Sequence, residues 1–239
     1  MPIPMKLKHL TSGLLAMILF MPALLAGNCG YYLPLVEGRG IQLQHFNQRD
    51  RLQSTQEVTV QKVDRQGDRL VATMHTRMLD QRDREMHQAT FTVICDGNQL
   101  LLDVQSLLDP GVMEGFKGME VRIDSDHMVM PNSLSAGQDL PDAALSMKVL
   151  AGGVEFADVS LSISGRTVEG REQISVPAGT FESYRVSYHT HMETRAMGIP
   201  VRMSGKTIEF HAPGVGAVRT ETYDERERLQ GYTVLSKII

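Results

Sequence analysis

The stretch QATFTVICDGN at residues 88–98 decides the fold class. Ala89, Phe91, Val93 and Cys95 alternate there with three polar residues and one isoleucine, and the run stops at an Asp-Gly-Asn turn signal. Successive side chains of a strand point to opposite faces of its sheet. This period of two therefore predicts a half-buried strand that ends in a hairpin turn.

The same alternation recurs at residues 156–164 and 184–189. Polar turns are predicted between such runs, at residues 64–68, 80–83, 165–166 and 224–226. Residues 100–108 fit a strand that runs into one short helical turn before Pro110. Many short strands without long helices between them predict an all-β fold, an antiparallel meander that forms a curved sheet or β-barrel.

The composition fits this architecture and excludes some partners. The chain has 239 residues, of which 42% are hydrophobic and 22% charged, which is enough for the core of a β domain. Aromatic residues make up 5% and tryptophan is absent, so we expect an aliphatic core. The formal charge of -4 argues against a nucleic-acid partner, because such binding needs a basic excess that displaces counterions.

The first 27 residues resemble a secretory leader. Lys6 and Lys8 precede an apolar run at residues 14–26, and no acidic residue occurs in this segment. The run is too short to span a bilayer and ends in small residues, so we predict a signal peptide at residues 1–27 and no transmembrane helix in the mature chain. Asn28 stands directly before Cys29, where a lipidation signal requires a small residue.

We expect residues 28–239 to form a single β domain. A loose similarity between residues 74–78 and residues 188–192 suggests two similar halves, at residues 28–130 and 131–239. Alternating strands also produce such matches by chance, so duplication stays one of two open interpretations.

Cys29 and Cys95 are the two cysteines of the chain. An even number of cysteines in an exported chain predicts one disulfide between them. Closing a loop of roughly 66 residues would stabilise the fold by about 4 kcal/mol on the loop-entropy argument. The two thiols lie far apart in sequence without a CxxC spacing, which argues against a metal or redox site.

Two histidines are candidates for metal binding. His189 and His191 are two residues apart on a predicted strand and so share a face, a spacing that a metal ion can use. The apolar residues of that strand take the opposite face, which favours a solvated role for both histidines. A copper site could include His127, Met128 and Met130, although methionines in an aromatic-poor chain more commonly fill gaps in the core. We therefore predict no metal site.

The sequence offers no catalytic signature. Asp124 and Asp126 share a strand side, as a pair of catalytic carboxylates would, but two exposed acids near a turn are far commoner. The chain contains no nucleophile elbow, zinc-protease motif, phosphate-binding loop or EF-hand spacing. We predict that the protein is not an enzyme and needs no cofactor.

Two runs combine proline with glycine between strand-like segments. Pro177 and Gly179 stand in the first, and Pro213, Gly214 and Gly216 in the second. Proline restricts φ and glycine permits unusual φ values, so both runs predict tight structural turns. A close approach of a ligand to the glycines of the second run is the alternative.

Several motifs in order resemble the TapB-like family of exported bacterial envelope proteins, which is related to a domain of unknown function. They are CGYYLPL at 29–35, FTVIC at 91–95, GQDLPDA at 137–143, VPAGTF at 176–181 and FHAPGVGAV at 210–218. The resemblance spans the mature chain and implies an all-β, barrel-like fold in a Gram-negative bacterium. It also implies a place in the periplasm or at the outer-membrane surface, and it supplies no catalytic residues.

These observations favour a noncatalytic secreted or periplasmic envelope protein that binds a macromolecular partner, such as another envelope protein, through its β-sheet surface. A carrier that holds a small apolar ligand or lipid inside a barrel is the alternative. A secreted hydrolase is the second alternative, because catalytic residues can assemble from distant segments.

Overall fold

The computed structural model describes residues 34–107, 115–196 and 199–239. These residues form thirteen strands and one short 3-10 helix. The strands are β1 (Gly40–Asn47), β2 (Leu52–Gln66), β3 (Arg69–Asp80), β4 (Glu85–Cys95), β5 (Gln99–Asp103), β6 (Glu120–Ser125), β7 (His127–Pro131), β8 (Ala143–Ala151), β9 (Val154–Val176), β10 (Gly179–Ala196), β11 (Ile199–Ala212), β12 (Gly216–Asp224) and β13 (Leu229–Ile238). The 3-10 helix spans Val104–Leu107 and follows β5, as the sequence predicted.

All thirteen strands belong to one sheet, in the order β6-β8-β9-β10-β11-β12-β13-β1-β2-β3-β4-β5-β7. Every neighbouring pair is antiparallel. The prediction of an all-β antiparallel meander is therefore confirmed. Most neighbours in the sheet are also neighbours in the chain, and the exceptions are β6 with β8, β5 with β7, and the last strand, β13, with the first, β1.

The sheet curls into a nearly closed barrel. Its two edge strands, β6 and β7, are separated in the chain by Asp126 alone. The N–H of Asp126 donates to the carbonyl oxygen of Ala144 at 2.9 Å, and its own carbonyl oxygen accepts from the N–H of Val104 at 3.1 Å. At this residue the chain leaves the side of β8 and enters the side of β5. The two edges of the sheet therefore meet at Asp126.

The interior is mostly aliphatic, as the composition predicted, and it is tightly packed. Val60, Ala72, Met74 and Leu235 face it with at most 2% of their surface exposed. An interior with room for water would leave part of the surface of these side chains exposed to that water. Their near-zero exposure therefore shows that side chains fill the space beside them.

The predicted turn at Gly165-Arg166 is wrong. β9 runs without a break through both residues, and Arg166 is 1% exposed. The register with β10 shifts here, because Ser187 pairs with Thr167 and His189 pairs with Ser164. The extra residues form a β-bulge, and Gly165 takes the positive φ of 62° that such a bulge requires. Glycine beside a polar residue is typical of both bulges and turns, so the local sequence could not tell which of the two forms here.

Two predictions concern residues outside the described part of the chain. The signal peptide at residues 1–27 lies there, and so does Cys29. Its predicted disulfide partner, Cys95, ends β4 and has 0% of its surface exposed. The disulfide and the division into two halves stay predictions. Among the described residues, no helix is long and apolar enough to cross a membrane.

Candidate functional site

A shallow polar pocket of about 330 Å³ lies on the outer face of β6, β8, β9 and β10. Three of the predicted candidates, Asp124, Asp126 and His191, line it. Small hydroxyl side chains form its floor, contributed by Ser146, Ser160 and Ser162. The sequence treated the aspartates and the histidine as unrelated, and the structure brings them together because β8 and β9 lie between β6 and β10.

The pocket holds few fixed polar contacts. The side chain of Asp126 accepts a hydrogen bond from the N–H of Ala144 at 3.0 Å, and Nδ1 of His191 lies 2.7 Å from the hydroxyl of Ser204. No group of three histidine, cysteine or acidic residues within the described ranges could hold a metal ion. The pocket can offer hydrogen bonds to a polar ligand.

The other predicted metal-binding residues do not come together. Met128 and Met130 are buried in the core, whereas His127 alternates with them along β7 and is exposed. His189 is also exposed and does not line the pocket. The predicted wet face of β10 is wrong at Ser187, which is 9% exposed.

A polar cluster lies in the interior, between β9, β10 and β11. The hydroxyl of Tyr188 donates to one oxygen of Glu209 at 2.9 Å, and Nε2 of His211 lies 2.8 Å from the other. Direct pairing of β10 with β11 places these side chains on one face, because Tyr188 is opposite Thr207 and Tyr184 is opposite His211. Glu209 is therefore a nearly buried carboxylate with a partner at each oxygen.

The electrostatics of this cluster keep Glu209 charged. Burial raises the pKa of its carboxyl group, but the hydrogen bond and charge of His211, the hydroxyl of Tyr188 and the charge of Arg166 outweigh burial and lower the pKa below its ordinary value of 4.5. Burial, together with the adjacent Glu209, raises the pKa of Tyr188 well above 10. Tyr188 therefore stays a neutral donor.

Arg166 closes the seam, which we define as the gap between edge strand β7 and strands β8 and β9. Its Nη1 donates to the carbonyl oxygens of Val129 in β7, at 3.0 Å, and of Pro141, at 2.8 Å. Nε and Nη2 of Arg166 are buried without a hydrogen-bond partner among the described residues. Burial lowers the pKa of the guanidinium group. β7 itself is thus joined across the seam by a single side chain, whereas residues 137–140, which follow β7, form three backbone hydrogen bonds with β9.

The hairpin of β10 and β11 projects beyond its neighbour β12, while β9 accompanies β10 to its last residue, Ala196. β12 pairs with β11 only from Gly205 onward, so the first six residues of β11 have no strand on that side. Ile199, Val201 and Met203 alternate along this part and are 67%, 58% and 61% exposed. We call these three residues the apolar strip.

Three hairpin loops repeat one pattern that the sequence reading missed. Residues 47–51 (NQRDR), 80–84 (DQRDR) and 224–228 (DERER) connect β1 with β2, β3 with β4 and β12 with β13. We call them the tip loops. Each has Asn or Asp first, Arg third, an acid fourth and Arg fifth. A search for repeated five-residue turn sequences, rather than for long internal repeats, would have found them.

The predicted proline and glycine turns lie at the opposite end of the barrel from the tip loops. Pro177 lies in the connection between β9 and β10, and Gly179 begins β10 with φ of 142°. Pro213 and Gly214 connect β11 to β12, and Gly216 begins β12 with φ of 99°.

Residues 36–235 match the family described as DUF3108-like. The chain belongs to the DUF3108-like family. None of the curated proteins matches it. The family match agrees with the expected relation to a domain of unknown function, and the narrower TapB-like assignment is not confirmed.

Two solved structures share the fold of this DUF3108-like chain. One is described as a candidate exported protein with a YmcC-like fold from Bacteroides fragilis, with 21% identity, a TM-score of 0.68 and coverage of 88% of this chain and 100% of that one. The other is described as a candidate lipoprotein from Parabacteroides distasonis, with 25% identity, a TM-score of 0.68 and coverage of 87% and 98%. This likeness supports the barrel fold of the DUF3108-like chain.

Proposed function

We propose that the protein is a noncatalytic, exported envelope protein that binds a partner protein through its β-sheet surface, at the apolar strip of the projecting hairpin. The observation that carries the proposal is the exposure of Ile199, Val201 and Met203 side by side on one face of β11. Contiguous apolar surface on a soluble protein marks an interaction site more often than scattered apolar residues do.

The strip continues the packed face of the sheet. Ile199 is paired with Ala196 and Met203 with Met192, and both of these β10 residues pack against the core cluster around β8 and β9. The apolar strip therefore lies on the core-facing side of the sheet, but no core residues pack over it. A partner with an apolar face would extend this packing, which is the arrangement of a typical protein interface core.

The edge of β11 is protected against nonspecific pairing. Pro200 has no N–H to donate, and Arg202 places a charge on the same unpaired segment. Both are devices that natural edge strands use against aggregation. Arg202 is held by Glu193 at 2.9 Å. Protection of the edge beside an exposed apolar face favours a partner that docks on the face over a strand that joins the sheet.

The packed interior weighs against the carrier alternative. Val168, Val186 and Met147 lie in the two clusters nearest the seam, and none has exposed surface. A bound lipid would have to displace these side chains. Binding at the surface requires no such rearrangement.

Export of the protein is supported by the predicted leader at residues 1–27 and by the descriptions of its structural neighbours as an exported protein and a lipoprotein. On that basis we propose a place in the periplasm or at the outer-membrane surface of a Gram-negative bacterium.

Site-specific photo-crosslinking in envelope extract tests the proposed partner site. A photoreactive amino acid at position 201 is expected to capture one defined protein, and Ile199→Ser with Met203→Ser should abolish that product. The control places the same amino acid at position 36, where Val36 is 50% exposed at the opposite end of the barrel. Equal products from both positions, or none from position 201, would contradict the proposal.

A further inference from the structure

The tip loops form a row at one end of the barrel. Their strands follow one another in the sheet as β12, β13, β1, β2, β3 and β4, and each neighbouring pair is antiparallel. The three hairpins therefore turn at the same end. Successive hairpins are two strands apart, so the loops are spaced by roughly 10 Å.

The first and last residues of the tip loops build the turn. Asp80 accepts hydrogen bonds from the N–H groups of Arg82 and Arg84 at 2.8 and 3.0 Å, and its carboxylate pairs with the guanidinium of Arg84 at 2.6 Å. Asp224 makes the same three contacts with Arg226 and Arg228. Asn47 accepts the two equivalent backbone bonds in its loop.

The third residue of each loop contributes its backbone N–H to the turn, but its side chain is not used there. The side chains of Arg49, Arg82 and Arg226 are exposed, and none makes a hydrogen bond or ion pair within the described ranges. Turn geometry therefore does not explain why arginine occurs at all three equivalent positions.

The fourth residue is costly for the fold. Asp50, Asp83 and Glu227 adopt left-handed backbone conformations with φ of 56°, 58° and 56°. Glycine takes this conformation freely, whereas a residue with a Cβ atom loses about 1 kcal/mol there. All three tip loops have Asp or Glu at the fourth position, although glycine would make each turn more stable. The carboxylate of Asp50 accepts a hydrogen bond from the hydroxyl of Tyr232 at 2.9 Å, whereas no such contact within the described ranges explains the acids at positions 83 and 227. Strained residues cluster at binding sites.

We propose that the tip loops bind a repeating polymer that carries both anionic and cationic groups, and that this polymer is the peptide-bearing cell-wall glycan. A guanidinium group recognises a carboxylate of the peptide, and the adjacent acid recognises a free amino group. Similar loops at regular spacing fit a ligand that is itself repetitive. The three loops hold six arginines and six acids, a balance that does not favour a pure polyanion.

The projecting hairpin favours a polymer over a membrane surface. Gly205 of β11 is level with Asp224, where the third tip loop begins, and β11 starts six residues earlier, at Ile199. At the rise of an extended strand, the hairpin reaches about 20 Å beyond that loop. A flat bilayer would meet the hairpin first, whereas a polymer strand can lie along the row of loops. This surface is separate from the apolar strip, so either proposal can fail without the other.

Co-sedimentation of the full-length exported protein with purified cell-wall sacculi tests this inference. The triple variant Arg49→Gln, Arg82→Gln, Arg226→Gln should bind at least tenfold more weakly than wild type. The control variant Arg39→Gln, Arg65→Gln, Arg69→Gln removes the same charge from exposed residues at the other end of the barrel and should bind within twofold of wild type. Binding should weaken at high salt, because the contacts are exposed ion pairs.

A second variant tests the role of the acids. Asp50→Asn, Asp83→Asn, Glu227→Gln should also weaken binding, because the amino groups of the polymer lose their partners. Tighter binding by this variant would identify a polyanion and overturn the proposal. No sedimentation of wild type, equal loss in both arginine triples, or binding to phosphatidylethanolamine–phosphatidylglycerol vesicles without binding to sacculi would overturn it as well.

Discussion

The wall of the barrel and its seam are closed by different interactions. In the wall, β10 pairs with β11 without a break from Tyr184 to Ala196. At the seam, among the described residues, residues 137–140 form three backbone hydrogen bonds with β9 around the bridge of Asp139 and Thr167, and Arg166 supplies the bonds to β7. Repeated alternation of apolar and polar residues along neighbouring strands is enough to build the wall. The attachment of β7 across the seam depends on one long-range side chain, so its replacement should loosen β7 more than the rest of the barrel.

The wall should be the most sensitive to a buried charge. Val186 in β10 has 0% exposure and lies directly opposite Glu209, so Val186→Asp would bury a second carboxylate beside the existing one. We expect a loss of more than about 4 kcal/mol in the free energy of unfolding, or failure to fold. Urea denaturation followed by circular dichroism measures it.

The matched control is the neighbouring residue on the other face. The side chain of Arg185 is 35% exposed and pairs with Glu169. Arg185→Asp should cost less than half as much, since water can still reach the new carboxylate. Equal losses for the two variants would show that the assignment of faces in β10 is wrong.

The seam should respond next most strongly, to Arg166→Met. The variant leaves the carbonyl oxygens of Val129 and Pro141 without their donor and leaves Glu209 with less positive charge nearby. We expect a loss of about 3 kcal/mol, with hydrogen exchange at β7 rising at least tenfold and exchange at β2 and β3 rising less.

Arg122→Met on the other edge strand is the control for Arg166→Met. Its side chain is 67% exposed and its ion pair with Glu120 lies at the surface, so the loss should stay below about 1 kcal/mol. Unchanged or increased stability of Arg166→Met would mean that packing alone closes the seam. A uniform rise in exchange over the whole barrel would mean that Arg166 has no special role at β7.

The same contrast explains what the sequence could predict. Alternation within residues 184–189 lies inside one strand, so it identified the wall and the core from local information. Arg166 contacts residues 37 and 25 positions away, and its own neighbour Gly165 indicated a turn. The pocket around Asp124 and His191 depends on which strands become neighbours, and local pattern does not specify that order. Two of the tip loops were predicted as turns, at residues 80–83 and 224–226, whereas the loop at residues 47–51 and the similarity of all three were missed.

The pH dependence of stability should sharpen the contrast, because Glu209 lies near the seam. Its pKa in the folded protein is below the ordinary value of 4.5. The ionised group therefore contributes its full stabilisation above about pH 4.5, and that contribution is lost as the pH falls through the lower folded pKa. Tyr188, His211 and Arg166 are the titratable or charged groups that act on this carboxylate.

Urea titrations of wild type and Glu209→Gln at pH 7, 5, 4 and 3 measure this contribution. Wild type should lose more stability than the variant between pH 5 and pH 3, and the two should change in parallel between pH 7 and pH 5. Parallel curves over the whole range would show that Glu209 is not held in its charged form. Asp80 titrates in both proteins, at a pKa of about 2, and so cancels in the comparison.

The smallest change in the free energy of unfolding is expected at the tip loops, where the substitution should stabilise the protein instead of destabilising it. Asp83 has φ of 58°, so Asp83→Gly removes the strain of a Cβ atom in the left-handed region and should raise the free energy of unfolding by about 0.5 to 1 kcal/mol. Asp83→Ala keeps the Cβ atom and should give no such gain, which separates backbone strain from loss of charge. If Asp83→Gly instead destabilises the protein, the carboxylate supports the turn itself. If Asp83→Gly is more stable and also binds sacculi more weakly, the acidic side chain in this tip loop lowers stability and contributes to binding.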